Sequence, residues 1–114
     1  MIVDALIRAI VRRRIESPVP LPPGVELRRG RWIPAIGGRM ARMGRHAAAV
    51  TLGRTIVVHP DVEPSPRLLR HELAHVRQWQ RRPLAFPILY AWNHLRYGYH
   101  ENPYEVEARD AELE

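Results

Sequence analysis

Cysteine does not occur among the 114 residues. Its absence excludes disulfide scaffolds, thiolate zinc ribbons, iron–sulfur clusters and cysteine nucleophiles together, so any metal ion must be held by His, Asp or Glu. Lysine is absent too. All 18 basic residues are arginine, and against 12 acidic residues they give a formal charge of +6. The arginines are scattered from Arg8 to Arg109 with no long run, which argues against a nucleic-acid partner. A long apolar run is also missing. Leu84 to Trp92 falls far short of the roughly 20 residues that a bilayer requires, so no membrane span is expected. In Met1 to Glu16 the arginines at 8, 12, 13 and 14 follow the apolar residues instead of preceding them. That order is the reverse of a secretory signal, and a cytoplasmic location is expected. No internal repeat is visible.

What is present is the balance of a folded chain rather than a disordered tail, with 46% hydrophobic and 26% charged residues. The length suits one domain with one modest core. Ile2, Val3, Leu6, Ile7 and Ile10 recur at helical spacing and read as an amphipathic helix ending near Ile15. Pro18, Pro20, Pro22, Pro23 and Gly24 then form a stiff extended connector. Residues 1–24 are therefore set apart as a helix and proline-rich arm, and residues 25–114 as the main domain. The apolar face of the first helix has two possible seats. It lies against the cleft and restrains access, or it packs on a later helix around Ile88 and Trp92.

From Val25 to Arg45 the pattern is mixed. Ala47 to Thr51 and Thr55 to Val58 are β-prone runs separated by Leu52-Gly53-Arg54, which reads as a hairpin. A helix follows, with Ser65 as cap, Pro66 in its first turn, Arg77, Arg81 and Arg82 near its end, and Pro83 as its stop. Leu84 to about Arg96 reads as an apolar, buried connector helix broken at Tyr97-Gly98-Tyr99. Asn102-Pro103 opens a last helix.

The capped helix carries His71-Glu72-Leu73-Ala74-His75. Four helical residues advance about 400°, so both imidazoles lie on one face, one turn apart, where a single zinc ion can meet both. Glu72 projects beside them, within reach of a proton on an attacking water. A catalytic zinc usually has three protein ligands. His94, His100, Glu101, Glu105 and Glu107 are the downstream candidates. If Asn102 caps the last helix, Glu105 stands at the third helical position, where it can also bond back to the cap.

An H-E-x-x-H helix followed by E-x-x-A, here Glu105 to Ala108, resembles the zincin metallopeptidases. Within them it looks like the glutamate-liganded gluzincins, and most like the small single-domain minigluzincins. The resemblance covers about Ala47 to Ala111. It implies an α+β fold in which a small hairpin or sheet packs on the metal-binding helix, with a connector helix and a glutamate helix behind. It also implies that His71, His75 and Glu105 hold Zn2+ and that Glu72 is the catalytic base. The activity implied is peptide hydrolysis, with a peptide or protein substrate lying along a strand edge. Glu107 and His100 remain alternatives for the third ligand. Acids that orient the ligands are expected among Glu101, Glu107 and Asp110, and an oxyanion donor among Tyr97, Tyr99, His100 and Tyr104. The rival function is a zinc-binding regulatory or interaction module with little or no turnover.

Overall fold

The computed structural model describes residues 5–6, 13–30 and 48–114. The chain is α+β, with three strands and three helices among the described residues. β1 (Glu26–Arg29), β2 (Ala49–Leu52) and β3 (Thr55–Val58) form one sheet in the order β1-β3-β2. β2 and β3 are an antiparallel hairpin, pairing Ala49 with Val58 and Leu52 with Thr55. Gly53 turns the chain at φ 63°, a left-handed conformation that costs glycine little. β1 runs parallel to β3, from Glu26 opposite Thr55 to Arg29 opposite Val58.

β1 is an element that the residue pattern does not announce. Its sequence is Glu-Leu-Arg-Arg, with one apolar side chain in four residues. Leu27 enters the core, and polar groups add to the hold. Arg28 pairs with Glu26 at 2.7 Å. The Arg29 guanidinium donates to the carbonyls of His59, Pro60 and Val62, tying down the loop that leaves β3.

Three helices follow: α1 (Pro66–Arg81), α2 (Phe86–Glu101) and α3 (Pro103–Ala111). The expected caps form. Ser65 Oγ accepts from the Leu68 N–H at 3.1 Å, and Asn102 Oδ1 accepts from the Tyr104 N–H at 3.0 Å. Each satisfies an amide that the first helical turn leaves without a partner. In α2 the helical path breaks at Gly98, which has φ 81°.

The core lies between sheet and α1. Val25, Leu27, Ile56, Val58, Leu69 and Val76 form it. The proline-rich segment lies on this core, where Ile15, Val19 and Leu21 pack. An extended chain sends alternate side chains to opposite faces, so residues 15, 19 and 21 turn inward together. The proposed first helix, and its seat at the cleft or elsewhere, lies almost wholly outside the described residues.

α2 is less buried than its apolar residues predict. It was expected to be buried, yet Leu84, Ile88, Trp92 and Leu95 are all exposed, and Phe86 is its one buried residue. Phe86 and Tyr90 turn toward the neighbouring helices, where they pack on Trp79 and Tyr104.

Ile56 is 0% exposed in the core. Ile56→Ala is expected to lower the unfolding free energy by about 2–5 kcal/mol. Leu84→Ala, at a position 87% exposed, is expected to change it by less than about 0.5 kcal/mol. Urea melts of both variants measure the contrast.

Candidate metal centre

α1 carries the two histidines and α3 carries Glu105. What brings them together is the close approach of the two helices. Ala74 of α1 meets Ala108 and Ala111 of α3, and none of the three is more than 5% exposed. With methyl groups at the contact, the helix backbones approach closely enough for short functional side chains to meet across the gap.

They meet at one oxygen. His71 Nε2 lies 3.0 Å and His75 Nε2 3.2 Å from Glu105 Oε1. The donor atoms of all three residues lie within 4.8 Å of one another, so the group could hold a metal ion. Glu105 does not serve as a capping residue, since its carboxylate is taken up by the histidines and by Tyr90. The Tyr90 hydroxyl donates to Glu105 Oε2 at 2.6 Å.

The outer atoms of the cluster fix its inner ones. His71 Nδ1 is 2.8 Å from Glu112 Oε2, and His75 Nδ1 is 2.7 Å from Gln78 Oε1. The orientation of the Gln78 amide is settled by its other end. Its Nε2 donates to Tyr104 O at 3.0 Å and to Glu107 Oε1 at 2.9 Å, both acceptors. Both Nδ1 atoms therefore face acceptors and donate to them, leaving the Nε2 atoms to face inward. Once a bound ion displaces the Nε2 proton, each histidine keeps its proton on Nδ1, the tautomer a metal ligand needs. The donor set of two imidazoles and a carboxylate, each backed by one partner, fits a divalent ion.

The backing residues differ from those expected. Glu101 and Asp110 do not touch the ligands. Glu107 acts one step away, on Gln78 and on Arg81. Glu112 and Gln78 were missed, as was Tyr90. Gln78 lies three residues after His75 on the same helix, a spacing that places the two side chains side by side. That signal was present in the sequence. Of the alternative ligands, His100 is exposed, and His94 stacks on the Tyr90 ring.

Charge balance follows from this geometry. Burial disfavours a charged His75, but the hydrogen bond to Glu105 and the charge of Glu72 outweigh it, and its pKa rises to about 9. His71 is raised by the same contest. Burial acts to raise the pKa of Glu105, but the hydrogen bonds from His71 and His75 prevail and hold it far below the usual carboxylate range. For Tyr90 and Tyr99, burial and the Glu105 charge both push the phenol upward, so both remain protonated.

Glu72 is buried beside the cluster, and its Oε2 accepts from the Thr51 hydroxyl of β2 at 2.7 Å. Trp79 Nε1 donates to Thr51 O at 3.1 Å, a second tie between that strand and α1. An open cleft of about 280 Å3 runs past these groups, lined by Ala48, Ala49, His71, Glu72, Tyr99 and Glu112 among others. β2 is an outer strand of the described sheet, so one wall of the cleft is a strand edge. Among the other tyrosines, Tyr97 lies beside Arg96 on the surface and Tyr104 packs on Phe86. No described helix is long and apolar enough to cross a membrane.

Two outcomes are expected. Glu105→Ala should lower metal affinity most, Glu112→Ala by about 10–100-fold through loss of an orienting partner, and Glu107→Ala least. Competition with a chromophoric chelator gives the order. Separately, a bound ion must displace protons from the raised histidines, whereas Glu105 is already ionised. Affinity should therefore rise with pH, about tenfold per unit for each proton displaced, and level off as pH passes the His75 value of about 9. Calorimetry in buffers of different ionisation heat counts the protons released.

A family model described as the eCIS core domain matches residues 25–83, just over half of the chain, from β1 through the end of α1. The match includes both histidines and Glu72 and stops short of Glu105. No curated protein matches the chain, and no solved structure does.

Proposed function

The chain belongs to the eCIS core domain family, and from that membership and the geometry of the centre we propose that it is a zinc-dependent metallopeptidase. One observation carries the reading. The buried Glu72 stands beside three convergent ligand side chains, and it and His71 line a cleft walled by a strand edge. The gluzincin pattern of H-E-x-x-H with a later glutamate supports the same assignment.

His71, His75 and Glu105 would hold the ion. Two nitrogens and one oxygen with no sulfur is a donor set found at catalytic zinc, which keeps a further position open. Bound zinc supplies Lewis acidity, bringing the pKa of water to about 7 and polarising a carbonyl. The remaining work falls to this chain's side chains. Thr51 holds the Glu72 carboxylate by one oxygen, leaving the other for the proton of an attacking water. Glu72 then passes that proton to the departing amine nitrogen. Tyr99 lines the cleft as a protonated phenol, a donor for the carbonyl oxygen as it gains negative charge. A substrate peptide would add as a strand to the edge of β2, with main-chain hydrogen bonds fixing its position.

Glu72→Gln is expected to retain zinc and the fold while hydrolysis of an unfolded protein falls by about 10²–10⁴-fold, and His75→Ala to lose zinc. Metal analysis, circular dichroism and a cleavage assay on the three proteins give the result. Zinc bound by the unsubstituted chain without any cleavage would leave a zinc-binding module in place of an enzyme.

A further inference from the structure

The outward face of α2 and the residues leading into it is apolar throughout. Leu84 precedes the helix, and Pro87, Ile88, Ala91, Trp92 and Leu95 recur at i, i+1, i+4, i+5 and i+8; all are exposed, so they form a single stripe along the helix. Four of them are large and open to solvent, Leu84 at 87%, Ile88 at 71%, Trp92 at 60% and Leu95 at 78%. From Pro87 to Leu95 the stripe spans about 12 Å of helix at 1.5 Å per residue. A continuous exposed apolar surface of this kind marks an interaction site.

The charges around it select the occupant. Residues 82 to 100 contain Arg82 and Arg96 at either end of the stripe and no acidic residue. A second copy of this chain is a poor partner. Antiparallel pairing of two stripes sets Arg82 of each against Arg96 of the other, and parallel pairing sets each arginine against itself. Neither arrangement offers a carboxylate from within the stripe. We infer that this face of α2 seats the protein on an anionic lipid surface. The apolar side chains enter the boundary between headgroups and acyl chains, while Arg82 and Arg96 extend their charge to lipid phosphates. Trp92, apolar with one N–H donor, suits that boundary. The opposite face of the same helix carries Tyr90, bonded to Glu105. Attachment through the stripe therefore leaves the metal centre on the side away from the lipid. The inference does not depend on peptidase activity.

Sedimentation of the full chain with vesicles tests it. Binding is expected to vesicles of phosphatidylglycerol mixed with phosphatidylcholine and to fall with added salt, whereas vesicles of phosphatidylcholine alone should retain little protein. The double substitution Ile88→Glu, Leu95→Glu should lower the partition coefficient at least about tenfold, with the circular dichroism spectrum and metal content unchanged. Arg82→Gln with Arg96→Gln should weaken binding to the anionic vesicles and reduce its salt dependence. Three results would overturn the inference. One is no binding of the unsubstituted chain to anionic vesicles. Another is equal binding of the Glu-substituted chain, which moves attachment to a different segment. The third is a dimer in solution that the Glu substitutions convert to monomer, which makes the stripe an interface between copies.

Discussion

Two imidazole nitrogens reaching for one carboxylate oxygen set the terms for much of this small protein. Glu105 Oε1 can serve both histidines only if α1 and α3 lie closely side by side. It stays ionised while buried only because the histidines and Tyr90 supply hydrogen. In turn, each histidine needs an acceptor at its far nitrogen, which Glu112 and Gln78 provide. The ring of partners joins all three helices, since Tyr90 belongs to α2. Polar contacts thus do in the lower half of the molecule what apolar contacts do between the sheet and α1.

Much of this was legible in the residues alone, and the parts that were not share a physical cause. Helix caps are local, so Ser65-Pro66 and Asn102-Pro103 could be read directly. The hairpin turn at Gly53 and the break at Gly98 are local too, because both depend on one residue's backbone freedom. The spacing of His71 and His75 is a property of the helix itself. Other features depend on partners remote in sequence. β1 exists because Arg29 can clamp the loop after β3 and because Leu27 reaches the core. Nothing within Glu-Leu-Arg-Arg reveals either contact. Glu112 bonds to a histidine 41 residues away, and Tyr90 to a glutamate 15 residues away, distances at which residue spacing carries no information.

The reading of α2 failed for a different reason. Apolar residues mark the interior when a helix has one apolar stripe. α2 carries apolar or aromatic residues on both faces, and among the described residues the neighbouring elements cover only one of them. Phe86 and Tyr90 take the covered side, where they pack on Trp79 and Tyr104. The polarity of the sequence could not say which face would win. It could have said that one had to remain outside.

The contact among Ala74, Ala108 and Ala111 has a consequence for ion choice. No long, bendable side chain lies between the two backbones at that point, so their separation cannot adjust by a change of rotamer. Three methyl groups in contact set the spacing of α1 and α3, from which the His71, His75 and Glu105 side chains reach toward one another. Small and large divalent cations differ in preferred ligand distance by a few tenths of an ångström, well under the width of one methyl. A single added carbon at any of these alanines would move α3 outward by more than that difference. The helix spacing therefore limits how far the His71, His75 and Glu105 side chains must reach to meet, and a wider spacing lengthens that reach.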